Sequence, residues 1–212
     1  MKPQLILLGA PGSGKGTQAA KIVTDFGYAH ISTGDLLRAE IAKESILGKK
    51  VKSIMDAGNL VDDETVLELL QVNCDLASKA YIFDGFPRNV DQAKALDDVV
   101  LKNIKSMAIY FNMDLEVLVE RITNRRIAPN SGRIYNLLTN PPKQEGICDE
   151  TGEELVHRKD DNEDIVRNRL NVFKETIDPV LNYYREKGIL IEIDATKSLD
   201  KVFDQISSVI NG

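Results

Sequence analysis

The residues in this sequence best suited to do chemistry are a glycine loop with one lysine and a scattered set of arginines. GAPGSGKGT (9–17) sets Gly9, Gly14 and Lys15 at the spacing G-x-x-x-x-G-K. The hydroxyl that should follow comes one place late: Gly16 stands where Ser or Thr is expected, and Thr17 comes next. An apolar run, QLILLG (4–9), precedes the loop, and a helical pattern begins at Lys15. That strand–loop–helix context separates a phosphate-binding loop from chance glycines. Glycines let backbone N–H groups turn inward around anionic oxygens, a helix N-terminus adds partial positive charge, and Lys15 adds a whole one.

A second constellation is FDGFPR (83–88). Asp84 closes an apolar strand, where a lone carboxylate needs a reason. It either serves magnesium, directly or through water, or caps the following helix. Gly85 admits close approach of a ligand, and Arg88 presents a fork of donors suited to phosphate. Arg121 and Arg125, four apart, are expected on one helix face. Arg169 falls on the apolar stripe Ile165, Val172, Phe173, Ile177, Val180, Leu181, where a guanidinium must be paired by an anion or by Asp160 or Asp161. Arg167 points elsewhere. Lys15, Arg38, Arg88, Arg125, Arg158 and Arg169 around one cleft describe phosphoryl transfer. That reaction needs oxygens held in line, spread charge matched and water excluded. More arginines than one nucleotide requires imply two anionic substrates.

The elements that must position these groups alternate. Short strands are expected at 4–9, 30–32, 80–85, 106–112 and 189–194, separated by helices. Gly48 and Gly58 are expected to punctuate two small helices. Asp62 reads as the N-cap of a helix reaching about Ser78, Asp114 and Ser198 as caps of later ones, and a long helix from about Asn162 to Glu186 as bent at Pro179. This alternation predicts a parallel sheet covered on both faces, with ligand off the carboxyl ends of its strands. Those ends carry Gly9–Thr17, STGD (32–35), DGFPR (84–88) and DATK (194–197). The stretch from Asn124 to Asp161, dense in turn residues, reads as a loop-and-hairpin insertion.

The chain has 212 residues and a net charge of −6. The acidic balance counts against a nucleic-acid or membrane-surface binder. The two cysteines, Cys74 and Cys148, make no disulfide framework and fit a reducing, cytoplasmic setting. No stretch approaches membrane-helix length. His30 and His157 receive no role.

In order along essentially the whole chain, GAPGSGKGT, ISTGDLLR, DAGNLVDDE, FDGFPRNVDQA, RITNRR, SGRIYN, NPPK, TGEELVHRKDD and VRNRL resemble the adenylate kinases of the bacterial long-lid form. In that family Gly16 before Thr17 is the loop's normal form. The resemblance implies a P-loop NTPase-type three-layer α/β fold, with a five-stranded parallel sheet flanked by helices. It implies core at 1–31, 62–123 and 162–212, an AMP-binding insertion at 32–61 and a β-rich lid at 124–161. The reaction implied is reversible, magnesium-dependent transfer from ATP to AMP, giving two ADP and keeping adenine nucleotides in balance. Gly12, Ser13, Gly14, Lys15, Gly16 and Thr17 would hold the ATP phosphates. Arg121 would lie over the adenine, with Arg125 on the phosphates, Lys197 near the base, and Ile134 and Tyr135 on the lid side. AMP would lie against Thr33 and Gln92, near Asn59, Leu60, Val61, Gly85, Phe86 and Pro87, its phosphate on Arg38 and Arg88. Arg158 and Arg169 would close over the transferring group, Asp160 and Asp161 would steady the lid arginines, and Asp84 would serve magnesium through water. Long-lid relatives often carry four zinc ligands in the lid. Here those positions are Ala128, Ser131, Cys148 and Thr151, so no zinc is expected. Ser131, Thr151 and neighbours would form a hydrogen-bonded lid instead. A monomer is implied. The rival readings are a GTP-preferring relative, another nucleoside monophosphate as acceptor, and a non-catalytic P-loop switch.

Overall fold

The structure, a computed structural model, describes residues 2–102 and 104–211. In chain order the elements are β1 (Gln4–Gly9), α1 (Lys15–Phe26), β2 (Ala29–Ser32), α2 (Thr33–Ala42), α3 (Ile46–Asp56), α4 (Asp63–Asn73), β3 (Tyr81–Asp84) and α5 (Val90–Ala95). A π-type turn (Leu96–Leu101) extends α5, and β4 (Ser106–Asn112), α6 (Leu118–Thr123), β5 (Arg125–Ile127) and β6 (Ile134–Asn136) follow. A 3-10 turn (Lys159–Asp161) leads into α7 (Glu163–Glu186), β7 (Leu190–Asp194) and α8 (Leu199–Asn211).

Five strands form one parallel sheet in the order β2-β3-β1-β4-β7. Side chains alternate across a strand, and β1 shows the consequence. Leu5 and Leu7 join a core on one face with Ile22 of α1, Ile122 of α6 and Ile206 of α8. Ile6 and Leu8 join a core on the other with Val51 of α3, Leu70 of α4 and Leu96. Each fully buried aliphatic contributes about 1.5–3 kcal/mol, so this central strand is fixed in register from both sides. That register sets Asp84 beside Leu7 and, through β2, beside Ser32. The chain leaves β1 toward β3 and β2 and returns on the other side of β1 through β4, so the crevice between β1 and β3 lies where the strand order reverses.

Several expectations are corrected. Gly48 lies inside α3 rather than at a boundary. A Cβ there would come 2.1 Å from the Glu40 carbonyl oxygen, so glycine permits α2 and α3 to touch. Helix α3 starts instead at Ser45, whose hydroxyl accepts from the Gly48 N–H at 2.9 Å. Helix α4 is capped by Asp62 as expected but ends at Asn73, where Cys74 turns extended and the Tyr81 hydroxyl takes the Asp75 N–H. Helix α6 begins at Leu118, after a turn in which Asp114 accepts from the Glu116 N–H. It ends at Thr123, so Arg121 and Arg125 do not share a helix face: Arg125 opens β5. Helix α7 contains Pro179, as expected.

Between β5 and the 3-10 turn, a two-stranded antiparallel sheet is joined by bridges at Ile127–Val156 and Ile147–Glu154. It encloses a separate small core of Ala128, Tyr135, Cys148 and Leu155. No described helix is long and apolar enough to cross a membrane.

Candidate active site

A cleft of about 620 Å³ opens at the carboxyl ends of β1 and β3. The glycine loop forms its floor. Gly12 adopts φ 80°, which favours glycine, and a Cβ there would strike Ile122 at 2.6 Å. Gly16 faces Ile134 of β6: a Cβ would sit 3.1 Å from the Ile134 methyl and 3.8 Å from Asp84 Oδ2. A Cβ here would be in tight contact with Ile134, whose side chain would have to give by a few tenths of an ångström. Lys15 Nζ donates to the carbonyls of Gly9 (2.8 Å) and Ala10 (2.9 Å). Burial, opposed by Asp84 and aided by the Arg88, Arg169 and Arg125 charges, lowers its pKa to about 8.

Burial would raise the Asp84 carboxyl. The hydrogen bond with His30 and the charges of Lys15 and His30 hold it below the usual value instead. His30 Nε2 lies 3.4 Å from Asp84 Oδ2, and both line the cleft. The sequence reading gave His30 no role. The contact depends on the pairing of β2 with β3, which sets residue 30 two positions before Ser32, the partner of Asp84. Among the described residues, no group of three or more His, Cys, Asp or Glu could hold a metal ion by itself. One carboxylate and the Thr17 hydroxyl fit magnesium, which takes few protein ligands and shares substrate phosphates and water.

A narrower pocket of about 40 Å³ abuts the cleft. It is lined by Thr33, Asn59, Val61, Phe86, Gln92 and Asp160, and shares Arg38, Leu60, Gly85, Arg88 and Arg169 with the cleft. Arg88 is held by Nε donation to the Gly85 carbonyl at 2.7 Å, while Gly85 has φ 83° and abuts Thr33 Oγ1. Asn59 is tied to α7 through Asn168, whose amide reaches Asn59 and the Ala57 carbonyl.

The arginines gather as the sequence suggested. Arg125 donates from Nε to Asp161 at 2.8 Å, and Asp161 is fully buried. Burial opposes the Arg125 charge, but hydrogen bonding and attraction from Asp161 raise its pKa overall. Arg169 reaches Asp160 at 3.1 Å and Asp161 at 3.6 Å, so the expected partners of an inward guanidinium are both present. Arg158 pairs with Asp35 at 3.0 Å, and Arg38 with Asp35 and with Asp160 at 3.4 Å. Burial lowers Arg158 and Arg169 to about 10, with neighbouring guanidiniums adding to the effect. Such crowding of cations favours an incoming anion. Arg167 pairs at the surface with Glu163.

Of the expected site residues, all but Asp161 line the cleft or its side pocket; Asp161 lies behind them. Arg121 lines the cleft with NH1 on the Met113 sulfur at 3.2 Å. Lys197 lines it while pairing with Asp194, and Pro87 borders the larger space rather than the side pocket. Tyr135 borders the cleft with its ring in the small core, where its hydroxyl meets Cys148 Sγ at 3.5 Å. Glu153, which the sequence reading did not single out, accepts from the Asn130 and Ser131 N–H groups and the Thr151 hydroxyl at 2.8–3.0 Å. It joins the turn of Asn130 and Ser131 to that of Thr151.

A family model described as Adenylate kinase matches residues 7–189. Curated relatives similar to the chain include the adenylate kinase of Chloroherpeton thalassium, 43% identical over 98% of this chain and 97% of the relative. Those of Geobacillus sp. (43%, covering 98% of each) and Archaeoglobus fulgidus (44%, covering 97% of each) are similar across the same span.

Proposed function

The chain belongs to the adenylate kinase family and is a nucleoside monophosphate kinase, and from that premise we propose that it transfers a phosphoryl group reversibly from ATP to AMP. In this reading the large cleft takes the donor and the side pocket the acceptor. The observation that carries it is the pair of adjoining spaces with Arg38, Arg88 and Arg169 on their shared wall. A switch that holds one nucleotide needs one space.

The loop residues Gly12–Thr17 cradle the donor phosphates with backbone N–H groups, and Lys15 turns from the Gly9 and Ala10 carbonyls to them. Arg121 covers the donor base, with Lys197 and Ile134 beside it. Thr33 and Gln92 meet the acceptor base, and Arg38 and Arg88 its phosphate. Arg125, Arg158 and Arg169 match the charge that spreads over the transferring group. Magnesium, when bound with the nucleotide, would neutralise phosphate charge, with Asp84 reaching it through water and Thr17 nearby. The segment 32–61 acts as an acceptor flap and 124–161 as a lid that excludes water. The lid works without zinc, its turns tied by Glu153, and elemental analysis finding one zinc per chain would overturn that part.

The test is product formation from ATP–magnesium with AMP, GMP, CMP or UMP, and with GTP in place of ATP. Fast ADP formation with ATP and AMP alone is expected. A faster GTP reaction would assign the donor pocket differently, and no turnover with two bound nucleotides would remove the catalytic reading.

A further inference from the structure

The buried amide of Gln92 is fixed from both ends. Its Oε1 accepts the Arg88 N–H at 2.7 Å, and its Nε2 donates to Asp63 Oδ1 at 2.7 Å. The backbone N–H can only donate and the carboxylate, when ionised, only accept, so the two partners admit one orientation of the amide. Gln92 is 2% exposed, and its backbone is held by Asn89, whose side chain caps α5 at the Gln92 N–H (2.8 Å). Asn89 also reaches Asp63 at 3.4 Å. Asp63 itself opens α4 and does not line the side pocket.

Each end of the amide keeps one valence: a lone pair on Oε1 and an N–H on Nε2. A 6-aminopurine offers an exocyclic donor beside a ring acceptor, which matches that order. A 6-oxopurine offers an acceptor beside a ring donor, which matches only the flipped amide. Flipping Gln92 would set Oε1 against the Asp63 carboxylate and Nε2 against the Arg88 N–H. A buried site that leaves polar groups mismatched rejects a ligand strongly.

We propose that Asp63 is a positioning residue that locks the Gln92 amide and thereby selects 6-aminopurine over 6-oxopurine monophosphates as acceptor. The inference rests on the reading of the side pocket as the acceptor site. Asp63→Asn is the incisive change, because an amide at position 63 can present either an acceptor or a donor and so removes one of the two mismatches that hold Gln92 in its orientation, leaving only the Arg88 N–H.

The experiment measures kcat and KM for AMP and GMP, KM for ATP, and the thermal midpoint. It compares the wild type with Asp63→Asn, Asp63→Ala, Gln92→Ala and Glu64→Ala. Glu64 shares the first turn of α4, so its variant controls for lost helix-terminus charge. The expected result is a fall of about tenfold or more in the AMP-over-GMP ratio of kcat/KM in both Asp63 variants, carried by acceptor KM. ATP KM should stay at the wild-type value, and Glu64→Ala should leave the ratio alone. An unchanged ratio in the Asp63 variants, with AMP KM raised by Gln92→Ala, overturns the lock and leaves the acceptor site standing. So does a rise in ATP KM that matches the acceptor's alongside a lowered midpoint, which marks general loosening. An AMP KM indifferent to Gln92→Ala overturns the acceptor-site reading, and the lock with it.

Discussion

Removing Asp161 is the sharpest test of how the lid arginines are held. Its carboxylate is fully buried, accepts from Arg125 Nε at 2.8 Å and lies 3.6 Å from Arg169 NH1. Two unit charges about 4 Å apart attract by about 4 kcal/mol at an effective dielectric constant of about 20. Burial of both ions offsets much of that, so the pair adds little net stability; losing one partner strands the other and costs about 3–5 kcal/mol. Asp161→Ala is therefore expected to lower the thermal midpoint by roughly 6–20 °C, at about 2–4 °C per kcal/mol for a chain of this size. Arg125→Met should also destabilise, since Asp161 would then rely on Arg169 alone. The double variant should recover most of the loss, giving a coupling energy of about 2–4 kcal/mol in a denaturation cycle. Strict additivity would refute the reasoning, because it would mean that neither charge is stranded by loss of the other.

In the proposed reaction Lys15 is expected to confer pH sensitivity. Its pKa is lowered to about 8, so it loses its proton, and the phosphates a partner, as pH rises through that value. The kcat/KM for ATP should fall above pH 8, and Lys15→Arg, which stays charged, should move that limb upward. Arg88→Ala should keep the fold and lower turnover by about 10²-fold or more, and near-normal turnover in a folded variant would refute its role. The Glu153 carboxyl is lowered to about 2, chiefly by the Asn130 N–H, so its contribution is present above the ordinary 4.5 and lost as pH falls toward 2. Glu153→Ala should speed proteolysis within 124–161 at neutral pH and leave the core's cleavage unchanged.

Much of this site was legible because its parts announce themselves locally. The glycine loop carries its own strand and helix, and Asp84 and Arg88 sit four residues apart on one turn. Arg169 betrays itself by standing on an apolar stripe. What was not legible depends on distance in sequence. Helix α6 was too short to carry Arg125 because the chain enters β5 there, and β5 exists only by pairing with β6 and bridging to Val156. Local periodicity holds no record of such pairing. His30 meets Asp84 only through the β2–β3 register, and Glu153 meets Asn130 only across the lid core. Gly48 was misread for a related reason. A glycine in a helix looks like a boundary until the neighbouring helix that needs the space is known.

The carboxylates around the arginines divide into two kinds, and their exposure decides which. Asp161 has no exposed surface, so nothing in solution can take its place on Arg125. Asp35, with its side chain 53% exposed, holds Arg38 and Arg158 at the mouth of the cleft. An exposed pair of this kind is worth about 0–1 kcal/mol. A phosphate, with more charge and more acceptor atoms, outcompetes such a carboxylate for a guanidinium fork. Asp160 lies between, 14% exposed and shared by Arg38 and Arg169. In the proposed reaction Arg125 would thus be fixed before substrate arrives, while Arg38 and Arg158 would be held near their working positions by a weak anion that a stronger one replaces. The exchange keeps the guanidiniums paired at each stage. In the proposed reaction, binding energy would then be available for drawing 32–61 and 124–161 together rather than for desolvating bare charges.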